Sequence, residues 1–319
     1  MADDTPAPTN PDDKKPEAPK GFFEKVEAAL PIALTALATV FASMSNGALQ
    51  EAMYWKSQAA QDQAKVTNQW TLAGFKRDRA LMMQAAAAQL RATCGYAPAP
   101  FSVPVPPPKK EEEAKKHTEV QAQARVWLTD RANPPPVKMP ELDDELKPLR
   151  DAIKTREPER EILKKAGHTD VAKISKAIDD AEKANEQTDQ EWDPIIKGAA
   201  SLVRVQASTP GDGKAATAAQ AAGFDLEERR YRAESRANQD IGYLYEIRTK
   251  ISAAESDKHR KKSDYLSYAM LVAQIGAVAS SLALARKQKS ALWLFAAMVG
   301  VVAIGVGGYA LVPATMLAF

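Results

Sequence analysis

Apolar residues follow two patterns along this chain. In three places they run on without interruption: residues 28–50, 265–285 and 290–319 contain no charged side chain. Roughly 20 such residues, rising about 1.5 Å each, span a hydrocarbon core, so the pattern predicts transmembrane helices over 25–48, 265–285 and 291–312. Elsewhere apolar groups recur every three or four residues among charges, the mark of helices with one dry face. Together the two patterns predict an all-α membrane protein.

The stretch 45–93 has no proline, is rich in Ala, Gln, Lys, Arg and Met, and spaces Leu49 with Met53, and Val66 with Trp70 and Ala73, at helical intervals. It reads as a helix that continues out of the first span and stops at Gly95, Pro98, Pro100 and Pro104, since proline cannot sit inside a regular helix. Residues 214–264 are equally free of proline and carry the stripe Ile241, Leu244, Ile247, Ile251 and Ala254. Two arms of roughly 75 Å each predict a long antiparallel, coiled-coil-like helical hairpin between the first and second spans. Its first stem is 49–96, its second stem 214–264, and its tip the proline-interrupted segment 97–213. Within the tip, helices are predicted over 109–131, 141–166 and 170–191, with Pro134, Pro135, Pro136 and Pro194 as boundaries. The Pro, Asp and Lys-rich residues 1–24 have almost nothing to bury and predict a disordered tail. A short basic turn, 286–290, joins the last two spans, and 313–319 forms a C-terminal tail.

Charge and chemistry narrow the functional classes. Among 319 residues, 43 are basic and 41 acidic, a net charge of +2. That balance provides no field to recruit nucleic acid. The mean hydropathy of −0.38 averages two unlike materials. The lone cysteine, Cys94, excludes an intramolecular disulfide and any multi-cysteine metal site. His117, His168 and His259 stand far apart with no second ligand three or four residues away, and read as solvated surface histidines. Pro210-Gly211-Asp212-Gly213-Lys214 resembles a phosphate loop only superficially. Ser208 stands where its first glycine belongs, and Ala215 replaces the magnesium-binding hydroxyl. No catalytic residue, cofactor, metal or small-molecule substrate is indicated.

The uncharged runs 28–50, 265–285 and 290–319 offer no proton relay or ion pathway. Gln274 is the strongly polar side chain deep in the second span, where lipid favours pairing it with another helix. Small residues four apart, Gly276 with Ser280, Ala296 with Gly300 and Ala303 with Gly307, permit close helix approach. On the stems, Trp70, Ile241, Leu244 and Ile251 are the contact candidates. In a lone hairpin the second stem's stripe would face water, so a neighbour is expected, most simply a second copy.

The stretch Gly47-Ala48-Leu49-Gln50-Glu51-Ala52-Met53-Tyr54-Trp55-Lys56, followed by Thr67-Asn68-Gln69-Trp70, resembles the start of a bacterial membrane family catalogued as domain of unknown function 4337. The cluster His259-Arg260-Lys261-Lys262, then two spans around Arg286-Lys287-Gln288-Lys289 with Trp293, resembles that family's end. The resemblance covers roughly residues 25–95 and 224–312, with the proline-bounded middle as an insertion. Thr71-Leu72-Ala73 stands where the family has an aromatic pair, so no role of those aromatics carries over. The resemblance implies an architecture and a membrane location, and no activity.

The expected function is therefore structural: an inner-membrane scaffold, oligomerising or docking on a membrane complex through its stems, with the bilayer as its other partner. The alternatives are a regulator of envelope polysaccharide chain length or export, and an accessory subunit of a transport or energy-conserving complex. A cleaved signal peptide is the rival reading of the first span, but its basic region is long and no clean cleavage site follows. Lys14, Lys15, Lys20 and Lys25 precede the uncharged run of the first span, and Arg286, Lys287 and Lys289 separate the last two spans. By the positive-inside rule both groups are cytoplasmic and the helical domain is periplasmic, although Lys258, Arg260, Lys261 and Lys262 argue the other way.

Overall fold

The computed structural model describes residues 22–95, 101, 105, 111–129, 136–166, 169–209, 213–285 and 291–312. Residues 1–21 and 313–319 of the predicted tails, the basic turn, His168 and residues 210–212 lie outside this set, while 22–24, expected in the tail, begin the first helix. Every regular element among the described residues is a helix: α1 (Phe22–Cys94), α2 (Glu111–Thr129), α3 (Leu146–Lys154), α4 (Glu159–Ala166), α5 (Val171–Ser208), α6 (Gly213–Ala285) and α7 (Ala291–Leu311). Three of them, α1, α6 and α7, contain stretches long and apolar enough to cross a membrane. The chain divides into two compact units, Met1–Met53 with Asp257–Phe319, and Tyr54–Ser256. The helices α1 and α6, 73 residues each, contribute to both.

In the first unit, Ala38 and Phe41 of α1 pack with Leu266, Ala269 and Ala273 of α6 and Ala303 of α7. Small side chains dominate because helices in lipid gain by close backbone approach, not by hiding apolar surface from water.

In the second unit, contacts between α1 and α6 run in opposite order along the two helices. Asp62 meets Arg248, the Ala73 carbonyl accepts from Ser235, Lys76 meets Glu234 and Arg91 meets Asp225. The buried positions of α1 repeat every seven residues. Ala38, Ser45 and Ala52 are buried in the first unit, and Val66, Ala73, Ala80, Ala87 and Cys94 in the second. A seven-residue repeat keeps one seam of a helix facing a neighbour, and alanine in that seam lets the backbones come close.

The tip helices pack on this pair. One core joins Leu146, Leu149 and Ile153 of α3, Ile162 of α4, Ile174 and Ile178 of α5 and the α6 stripe Ile241, Leu244, Ile247 and Ile251. A second core joins Trp127 and Leu128 of α2, Trp192, Ile195, Ile196 and Leu202 of α5 and Leu226 of α6.

Two predicted boundaries are corrected. The helix expected over 141–166 is two helices, broken at Thr155-Arg156-Glu157-Pro158. Arg156 takes φ +56°, its N–H donates to the Ile153 carbonyl, and the Glu157 N–H donates to the Ala152 carbonyl. That is the left-handed helix stop usually filled by glycine, and Pro158, which has no N–H, stands just ahead of α4. Conversely, Pro194 is not a boundary, and α5 runs through it. An interior proline costs about 3 kcal/mol. Trp192, Ile195, Ile196 and Leu202, all buried around it, each contribute roughly 1.5–3 kcal/mol, so burial wins.

Candidate functional site

In the membrane-spanning unit, the small residues singled out from the sequence lie at the helix contacts. A Cβ on Gly276 would lie 3.1 Å from Leu34 and 3.2 Å from Val299, and one on Gly300 would lie 2.9 Å from Leu34. On Gly307 it would collide with the Phe41 ring. Ala296 and Ala303 are fully buried, and Ser280 is buried with its hydroxyl donating to the Ala277 carbonyl at 2.9 Å.

Where α1 and α6 leave the apolar stretches, Ser45 and Ser263 exchange hydroxyl-to-carbonyl hydrogen bonds, each 3.0 Å, and Ser45 Oγ lies 2.8 Å from Ser267 Oγ. Nearby, His259 Nδ1 is 2.6 Å from Glu51 Oε2. His259 is thus half-buried and paired, not the solvated histidine expected. Sequence spacing gave no sign of this, because the partner lies more than 200 residues away.

The stem candidates are also placed. Trp70 is half-buried and meets the Tyr243 ring edge to face, with centroids 5.0 Å apart. Ile241, Leu244 and Ile251 are buried at 2%, 5% and 1% exposure inside the chain's own core. This corrects the expectation that the stripe is left open in one copy. The helices α3, α4 and α5, read from sequence as a remote tip, cover it. Cys94 is likewise buried, its thiol donating to the Arg91 carbonyl at 3.6 Å, so it is no handle for an external thiol reagent.

The site that sequence reasoning missed is polar. The Asp62 carboxylate is fully buried and held by both Nε (2.9 Å) and Nη2 of Arg248, with the Gln58 amide donating at 3.3 Å. The Arg248 guanidinium also lies over the Tyr245 ring, 5.0 Å from its centroid. The Tyr245 hydroxyl donates to Glu182 at 2.6 Å. Burial first, then the bond to Glu182, pushes that hydroxyl's pKa far up, so it stays a neutral donor. One acid in a helix full of Gln and Lys looks solvated until its partner is located.

No protein family, curated protein or solved structure matches this chain. The arrangement must be read on its own terms. Among the described residues no group of three His, Cys, Asp or Glu side chains is placed to hold a metal. The Asp62 and Arg248 pair is occupied by its own neighbours, so it fixes the register of α1 against α6.

What stays open is the outer face of α1. Leu72, Phe75 and Met82 lie within one side of the helix and are 39%, 63% and 68% exposed.

Proposed function

We propose that this chain is a non-enzymatic scaffold of a bacterial inner membrane, whose helical stems form an antiparallel, coiled-coil-like hairpin between its first and second spans. It docks on another copy of itself through the outward face of its first stem. The observation that carries this reading is the row Leu72, Phe75 and Met82 on α1. Exposed large apolar side chains grouped on one helix face mark an interaction site, and the α6 stripe that first suggested one is already covered. The resemblance to the domain of unknown function 4337 adds the membrane location.

The test mixes two differently tagged full-length copies in mild detergent and measures co-purification, with mass spectrometry of whatever else is retained. Replacing Phe75 and Met82 together by Glu is expected to lower co-purification by about ten-fold or more, since two apolar side chains lose their cover, while the melting temperature is unchanged. Unchanged co-purification overturns the proposed face, and one stoichiometric foreign partner in place of self-association replaces the copy with a complex subunit.

A further inference from the structure

On the membrane-spanning unit, α1 and α6 leave a cleft of about 480 Å³ between them, lined by Thr35, Ala38, Thr39, Ala42, Gln274, Ala277 and Val278. The packing described above explains why it is open. Leu34 and Phe41 turn towards Gly300 and Gly307 of α7. Thr35 and Ala42 each follow one residue later, a rotation of about 100° around the helix, so the cleft opens away from α7.

The polar groups in the cleft are unequal. Thr35 and Thr39 donate their hydroxyls to the carbonyls of Pro31 and Thr35, at 2.8 and 2.9 Å, so both are satisfied locally. Gln274 is exposed and makes no hydrogen bond among the described residues. Its place is near the middle of the α6 apolar stretch 265–285, roughly 14 Å from one end and roughly 17 Å from the other at about 1.5 Å per residue. Neither water nor lipid headgroups reach that depth, and a lipid tail offers an amide nothing. An exposed amide there calls for a partner on another helix.

We propose that the cleft is the contact between two copies of this chain in the bilayer, with Gln274 of each hydrogen-bonded to Gln274 of the other. A primary amide carries both an N–H donor and a carbonyl acceptor, so two related by a twofold axis satisfy each other in both directions. Ala38, Ala42 and Ala277 leave the space in which a second α6 fits. This deepens the self-association proposed above, and places a second contact at a separate surface.

The experiment uses the full chain in liposomes on a Cys94→Ala background with Val278→Cys as reporter, cross-linked by a short bifunctional thiol reagent over a range of dilutions in lipid. Cross-linked dimer is expected, persisting when Phe75 and Met82 carry Glu, so failure of the stem face and failure of the cleft are told apart. Gln274→Leu, which suits lipid and leaves the helix intact, is expected to lower dimer by about ten-fold at matched dilution, the worth of two interhelical side-chain bonds. Ala42→Phe, which fills the cleft from the α1 side, is expected to do the same without touching the amide. Dimer unchanged by either substitution, or a cross-link to a different protein, overturns the inference.

Discussion

Asp62 and Arg248 show how much hangs on one side chain whose role its neighbours in sequence do not announce. Removing a partner from a buried ion pair strands the other charge, so Arg248→Met is expected to cost about 3–5 kcal/mol, read as a lower melting temperature of the solubilised full chain. Converting both, Asp62→Leu with Arg248→Met, is expected to restore most of that loss, because an apolar pair of similar volume costs little to bury. A double variant as unstable as the single one would show that the pair does more than balance charge. Glu227 behaves differently. Burial raises its pKa above the ordinary 4.5, helped by Glu234 and opposed by Arg230. A raised acid favours the protonated fold, so its contribution is present below the ordinary value and lost as pH climbs through the raised one. Glu227→Gln is therefore expected to melt with the parent at low pH and above it at neutral pH; equal melting at both would refute the burial effect. Neither residue was legible beforehand, since spacing reveals which face a residue shares and not what crosses from a helix 186 residues away.

At the scale of elements, long proline-free runs were readable because helical periodicity and breakers are local. The end of α1 at Cys94 and the start of α6 at Gly213 lie two residues and one residue from the predicted stem limits. The tip was read less well, because Pro158 and Pro194 are the same residue with opposite outcomes. At Pro158 a left-handed Arg156 had already ended α3, whereas at Pro194 buried aromatic and aliphatic groups on both sides hold α5 together. Pro194→Ala restores a backbone donor at an exposed position, and a gain of up to about 3 kcal/mol is expected in thermal or denaturant unfolding. A loss would mean that the proline itself shapes the second core. The alanine seam of α1 went unread because alanine scores as neutral filler, yet Ala73, Ala80 and Ala87, seven residues apart, are all buried. In the membrane-spanning unit Gly307→Ala is expected to destabilise by roughly 1–3 kcal/mol through its clash with Phe41, seen as earlier thermal unfolding in detergent.

For the whole molecule, three apolar helices bury far more surface than a peripheral contact, and the protein is expected to stay in the pellet after alkaline carbonate extraction. The proposed periplasmic placement needs a new reporter in place of Cys94. Glu186→Cys on a Cys94→Ala background puts an exposed thiol on α5, which an impermeant maleimide is expected to label in intact spheroplasts. Labelling only after lysis would invert the topology. The seven-residue repeat of α1 carries one more consequence, for descent. The helix runs from Phe22 to Cys94 without a break, so nothing along it absorbs a change of length. One codon gained between Asp62 and Val66 would turn every later residue by about 100°, bringing Lys65 and Arg79 into the seam places of Val66 and Ala80. Length variants that persist in related genes should therefore change α1 by sevens, matched on α6, while the joins between α3, α4 and α5 accept any number.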